Sequence, residues 1–173
     1  MLQIAVCDDN IDELSNMVQH LDKYRISRNL SCEYAAFING FDLITVLEKG
    51  KQFDIYLLDI IMPGFDGMET AKAIRTLDKY APILFFTSSP EYALESYSVK
   101  AINYVLKPVS EEKFFITFDE LLEQINVKEN KDLIIVKSHE GILKILITNL
   151  VYVEVIGRNV LYHMKSGKIV ECT

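Results

Sequence analysis

The chain has 173 residues, half of them hydrophobic, with a formal net charge of −7. That composition supports a packed core and excludes a disordered chain, no apolar run approaches the ~18 residues of a membrane span, and the amino terminus lacks the basic and long apolar regions of a secretory signal. Cys7, Cys32 and Cys172 are odd in number and form no Cys-x-x-Cys pair, which points to reduced thiols in a cytoplasmic protein.

Residues 2–7 and 53–58 are short apolar runs with little alternation, the pattern of strands buried on both faces of a parallel sheet. Between them, Asn10 is placed as the N-cap of a helix whose inner face carries Ile11, Leu14, Met17, Val18 and Leu21. A second strand is predicted over 31–37, and a helix over 40–49 that stops at Gly50. The third strand ends at Asp59, a turn-rich loop covers 61–67, and a helix follows over 68–78. A fourth strand spans 82–87, and Ser88-Ser89-Pro90 opens a short helix carrying Tyr92, Leu94 and Tyr97. The fifth strand, 102–106, ends at Lys107-Pro108, and a last helix runs from its cap Ser110 to about Gln124.

Five alternating repeats imply an α/β fold with a doubly wound, five-stranded parallel sheet covered on both faces. Residues 127–131 read as a polar linker. Beyond them come strand-only signals at 133–137, 142–147, 151–155, 160–164 and 169–172, punctuated by Gly141, Gly157 and Ser166-Gly167. The expected organisation is therefore a domain over 1–126, a linker over 127–131 and a small, incomplete all-β segment over 132–173. Residues 1–126 hold 20 acidic and 11 basic residues, and residues 127–173 hold 5 and 7. That division fits either a nucleic-acid-facing tail or ordinary scatter.

The chemistry-bearing residues sit at the strand ends. Asp8 and Asp9 follow the first strand and Asp59 follows the third, so adjacent strands would deliver three carboxylates to one sheet edge, where open α/β sheets place their ligands. Such a cluster repels itself unless a hard cation sits in it, and Mg2+ suits a few carboxylates with water and phosphate oxygens. Asp59, held at the rim of a strand, is the candidate nucleophile for phosphoryl transfer. Asp8 and Asp9 would position Mg2+, although Asp9 taken alone reads rather as a helix cap. The main-chain carbonyl of Ile61, two residues past Asp59, is placed by chain direction to add an oxygen ligand. Thr87 and Lys107 bring a hydroxyl and an ammonium to the same edge, suited to holding phosphoryl oxygens.

Asp8-Asp9, Asp59 followed by Ile-Ile-Met-Pro-Gly-Phe-Asp-Gly, Thr87 after Phe85-Phe86, and Lys107-Pro108 together resemble the receiver domain of two-component response regulators. The resemblance implies a flavodoxin-like fold in which Asp59 accepts a phosphoryl group from a sensor histidine kinase with Mg2+, and a cis Lys107-Pro108 bond. It also implies that Tyr104 is a switch aromatic turning inward when Thr87 moves toward the phosphoryl group; a partly buried strand aromatic is a compatible reading. Such a protein promotes only its own phosphorylation and dephosphorylation and is not otherwise an enzyme. Ile61 and Ser89, two residues beyond Asp59 and Thr87, are poorly suited to orient an attacking water. A haloacid-dehalogenase-type phosphohydrolase would need Asp-x-Asp after the first strand, where Asp8-Asp9-Asn10-Ile11 stands instead.

Leu133-Ile134-Ile135-Val136-Lys137, then Asn149-Leu150-Val151-Tyr152-Val153-Glu154, then Gly157-Arg158-Asn159-Val160-Leu161-Tyr162-His163 resemble the start of a LytTR-type DNA-binding domain of LytR/AlgR-like regulators. The resemblance makes Arg158 and Asn159 DNA-contact candidates, with an ordinary hairpin turn as the alternative. A complete module of that family is longer than the segment after Asn130, so the expectation is a truncated output domain. DNA would be a partner only of the complete form. Its open strand edges would favour a homodimer or a strand-exchanged assembly. The rival expectation is a phospho-switch or phosphate sink acting through protein partners without DNA. His20, His139 and His163 have no metal-building spacing and read as surface or strand residues.

Overall fold

In the computed structural model, which describes residues 1–131, 133–138 and 141–172 with side chains outside 126–133, strands and helices alternate strictly through the first two thirds of the chain. The order is β1 (Leu2–Cys7), α1 (Ile11–Ser27), β2 (Cys32–Phe37), α2 (Gly40–Glu48), β3 (Ile55–Leu58), α3 (Gly67–Leu77), β4 (Ile83–Thr87), α4 (Ala93–Ser96), β5 (Asn103–Leu106) and α5 (Glu111–Lys131). The five strands form one parallel sheet in the order β2-β1-β3-β4-β5. The chain begins in the middle and reverses direction between β1 and β3, the switch point at which such sheets bind ligands.

Alternation explains why the inner strands β1, β3 and β4 look almost wholly apolar. Ala5, Cys7, Tyr56, Leu58, Ile83 and Phe85 share one buried cluster with Leu43 of α2 and Met68, Ala71 and Ile74 of α3. The intervening residues Ile4, Val6, Ile55, Leu57, Leu84 and Phe86 are equally buried, so both faces are covered and no polar position is left. On that second face Phe86 stacks on Phe114 of α5 at 5.8 Å, and Phe114 on Phe118 at 5.5 Å. Truncating a buried Phe of this kind costs about 3–5 kcal/mol.

Helix starts follow their capping residues. The Asn10 side chain accepts from Asp12 N–H at 3.0 Å and Glu13 N–H at 3.2 Å, so the cap of α1 is Asn10 and Asp9 is released from that duty. Asp66 and Glu69 form a reciprocal capping box at α3. Two helices differ from expectation. The segment after Pro90 yields only one helical turn, because Leu94 and Tyr97 find no core to cover and stay 84% and 77% exposed. The last helix runs on to Lys131, so residues 127–131 are helical rather than a linker; Lys and Glu are good helix formers and no Gly or Pro interrupts them.

The chain forms two compact units, Met1–Leu121 and Leu122–Thr173, with the boundary inside α5. The second contains β6 (Leu133–Ser138), β7 (Gly141–Leu146), a 3-10 turn over Ile147–Asn149, β8 (Leu150–Ile156), β9 (Asn159–Met164) and β10 (Ile169–Cys172). These make an antiparallel sheet in the order β7-β6-β10-β9-β8, with Val136, Ile145, Val170 and Cys172 as its small buried cluster. Gly157 (φ 65°) and Gly167 (φ 81°) take the left-handed conformation that the β8–β9 and β9–β10 turns require. Cys7, Cys32 and Cys172 are buried free thiols. His139 lies outside the described residues. No helix among the described residues is long and apolar enough to cross a membrane.

Candidate functional site

The register of two neighbouring strands builds the site. Cys7 stands opposite Leu58, and Asp59 N–H donates to the Cys7 carbonyl at 2.8 Å. The next residue of each strand is therefore a carboxylate leaving the same sheet edge. Asp8 is fully buried and Asp59 is 4% exposed, while Asp9 projects into solvent. One carboxylate oxygen from each of Asp8, Asp9 and Asp59 lies within 4.8 Å of the others. Two unit charges ~4 Å apart repel by about 4 kcal/mol at an effective dielectric of about 20, so the trio needs positive charge.

Lys107 supplies part of it. Its Nζ lies 2.5 Å from Asp8 Oδ2 and 3.4 Å from Asp59 Oδ1. Burial, reinforced by Asp8, holds the Asp59 carboxyl above the usual carboxylate range, against the pull of Lys107. Asp59 Oδ1 is buried and makes no hydrogen bond among the described residues. An orphaned carboxylate oxygen beside two further carboxylates is the donor set of a hard divalent cation, so these residues fit Mg2+. The cleft around them, of about 430 Å³, is lined by Asp8, Asp9, Asp59, Ile61, Ser88 and Lys107 among others.

Thr87 ends β4 with a buried side chain, and its Oγ1 accepts from Ser89 N–H at 3.4 Å; Ser88, not Thr87, lines the cleft. Thr87 stands opposite Leu106, immediately before Lys107, whose N–H donates to the Thr87 carbonyl at 2.8 Å. The Lys107–Pro108 peptide bond is cis. Tyr104 is half-buried against the core, with its ring 6.2 Å from Phe85 and its hydroxyl donating to the Ser89 carbonyl. The expected switch aromatic is thus tied to the loop that follows Thr87.

Two residues at this end of the sheet escaped the sequence reading. Gly67 opens α3 so close to Asp59 that a Cβ there would sit 1.9 Å from the Asp59 carbonyl oxygen; the only cue was a glycine at the end of the loop after Asp59. His20 is neither a surface nor a strand residue. It is half-buried on α1, and its Nε2 reaches the Val109 carbonyl at 3.1 Å, a contact that no local pattern announces.

In the second unit, Arg158 lies in the β8–β9 turn and Asn159 opens β9. The Asn159 amide donates to Glu171 on β10, so its side chain is occupied within the sheet. His163 pairs with Glu154 at 2.7 Å and stacks on Tyr152 at 4.1 Å.

A doubly wound sheet of this strand order, with an acidic trio and a lysine at its carboxyl edge, defines a receiver-type signalling domain. The chain belongs to the response regulator receiver domain family, which residues 4–119 match, and so to two-component signalling. It is 30% identical over 139 residues to the sensory transduction protein LytT of Oceanobacillus iheyensis, covering 77% of this chain and 56% of that protein. It is 32% identical over 114 residues to the positive alginate biosynthesis regulatory protein of Pseudomonas aeruginosa, covering 64% and 43%. The chain thus spans about half the length of these relatives. Among solved structures, the response regulatory domain of mrkE from Klebsiella pneumoniae aligns with a TM-score of 0.65 at 22% identity, over 73% of this chain and 99% of that one. Chemotaxis protein CheY4 of Vibrio cholerae aligns with a TM-score of 0.58 at 27% identity, over 70% and 98%.

Proposed function

We propose that Asp59 is the phosphoacceptor of this response regulator and that its donor is a sensor histidine kinase. The observation that carries this reading is the buried, unsatisfied Asp59 Oδ1 facing Lys107 within a trio of carboxylates. Asp8, Asp9, Asp59 and the Ile61 carbonyl would hold Mg2+, which supplies charge neutralisation for the phosphoryl oxygens. One Asp59 oxygen forms the new O–P bond as the donor's bond to phosphorus breaks. The leaving group, a kinase imidazole or acetate from acetyl phosphate, takes the electron pair. Lys107 steadies the charge spread over the phosphoryl oxygens. Thr87 would hydrogen-bond the transferred group, and Tyr104, through its tie to Ser89, would carry that change to the β4–α4 surface.

The second unit fits the output half of such a regulator. Its antiparallel strands, the match to LytT and the mildly basic residues 127–173 support a LytTR-type DNA-binding module, with Arg158 as the better contact because Asn159 is engaged by Glu171. Phosphorylation adds roughly −1.5 to −2 charges at an edge already acidic, and that change would be read by the output unit or by a second copy of the chain.

The test is labelling with acetyl phosphate and Mg2+. The wild type takes up one acid-stable, base-labile phosphoryl group, and Asp59→Asn takes up none. Uptake by Asp59→Asn equal to wild type, or none by either protein, would overturn the assignment.

A further inference from the structure

We infer that His20 is a positioning residue for Lys107, an inference resting on the phosphoacceptor reading above. Lys107 opens the connection over residues 107–110, between the end of β5 and the start of α5. Both ends are pinned. Lys107 N–H donates to the Thr87 carbonyl at 2.8 Å, and Ser110 Oγ accepts from Lys113 N–H at 3.2 Å in the first turn of α5. Between these anchors Pro108 has no N–H to donate. The Val109 carbonyl is held instead by His20 Nε2 at 3.1 Å, from α1, 89 positions away in the chain.

This connection borders two clefts. One is the acidic cleft, and the other is a pocket of about 270 Å³ whose lining includes Met17, His20, Phe86, Val109 and Phe114. Lys107 and Pro108, with Glu13 of α1, line both. The connection is only partly buried along residues 107–110, so few dispersion contacts fix it and the direct hydrogen bond from His20 weighs correspondingly more in its position.

The bond also defines the histidine. A carbonyl can only accept, so Nε2 carries the hydrogen; Nδ1 is buried without a partner among the described residues, and the Val109 carbonyl selects the tautomer. The ring lies 5.6 Å from Phe114, itself stacked on Phe86 and Phe118. His20 therefore braces the lysine loop against the α1/α5 side of the core. An ammonium that must meet a phosphoryl oxygen is sensitive to such bracing, since a misplacement of about 1 Å can cost orders of magnitude in rate.

The experiment measures acetyl phosphate-driven phosphorylation of the full chain with Mg2+ in wild type, His20→Leu, His20→Gln, Lys107→Ala and the His20→Leu/Lys107→Ala double variant. Leu keeps the apolar body and loses the donor; Gln restores an N–H at a similar reach. His20→Leu is expected to slow phosphorylation roughly fivefold, about the effect of one net hydrogen bond. His20→Gln should recover most of that loss, and His20→Leu should add nothing in the Lys107→Ala background. Equal slowing in both backgrounds, a wild-type rate in His20→Leu, or a His20→Gln as slow as His20→Leu would overturn the inference. If His20→Leu does not fold, His20→Asn, whose amide falls short of Val109, replaces it with the same outcomes. A wild-type chain that accepts no phosphoryl group would instead remove the phosphoacceptor reading and this inference together.

Discussion

Lys107 reaches the carboxylate of Asp8 at 2.5 Å, closer than the 3.4 Å that separates it from Asp59. The ammonium thus favours the residue proposed to hold Mg2+ over the proposed acceptor, and a cation and Lys107 compete for Asp8. Replacing Lys107 with Met leaves buried carboxylates without their partner, a change that typically costs about 3–5 kcal/mol. Denaturant melts should show that loss in metal-free buffer. Mg2+ should then stabilise Lys107→Met more than it stabilises wild type; equal stabilisation would mean that the lysine and the cation do not share a site.

The raised pKa of Asp59 gives a stability effect of definite sign. The folded chain holds the Asp59 proton more tightly than the unfolded chain, so ionised Asp59 weakens the fold above its folded pKa. The penalty fades as pH falls through that value toward the ordinary carboxylate range. Asp59→Asn carries no charge at any pH. Without Mg2+ it should be more stable than wild type at neutral pH, with the gap narrowing on acidification. A gap that widens toward low pH would contradict the burial of a carboxylate that Lys107 only partly compensates.

Gly67 is a steric requirement. An added Cβ would meet the Asp59 carbonyl oxygen at 1.9 Å and Ile60 Cα at 2.7 Å, both backbone atoms. Gly67→Ala should destabilise the protein by about 1–3 kcal/mol or more, in the manner of overpacking. It should also slow phosphorylation by displacing Asp59. Normal labelling in a destabilised variant would show that the strain relaxes away from the acceptor.

The lifetime of the phosphorylated state follows from the two side chains that stand two positions beyond Asp59 and Thr87. Ile61 lines it with an apolar side chain, and Ser89 is engaged at the turn before α4, where its carbonyl receives Tyr104 and its Oγ receives Glu91 N–H. Neither presents an amide or carboxylate to orient water. Labelled protein freed of donor should keep its phosphoryl group well beyond seconds at neutral pH, and Ile61→Asn should shorten that time. Rapid loss from wild type would point to another water-positioning group.

The strand ends were legible because burial on both faces leaves β1, β3 and β4 uniformly apolar, so the polar residues that follow mark the rim. The convergence of Asp8, Asp9, Asp59 and Lys107 could be read from that rule together with parallel pairing. The five strands of the second unit were equally visible, helped by the glycine-bearing turns at Gly157 and Gly167 on either side of β9. Less legible were elements whose outcome depends on tertiary support. The stretch around Leu94 and Tyr97 has helical spacing but only a single turn, and residues 127–131 look like a linker by polarity while helix propensity carries them into α5. The roles of His20 and Gly67 were hidden because each depends on a close approach from another part of the fold.

The alignment of Cys7 with Leu58 carries a constraint on how this protein can change. Side chains alternate between sheet faces, so inserting or deleting one residue within β1 or β3 would turn Asp8 or Asp59 half a pleat, out of the cleft and into the helical layer. Loops on this fold can lengthen freely, but those two short segments tolerate substitution far better than any slip in count.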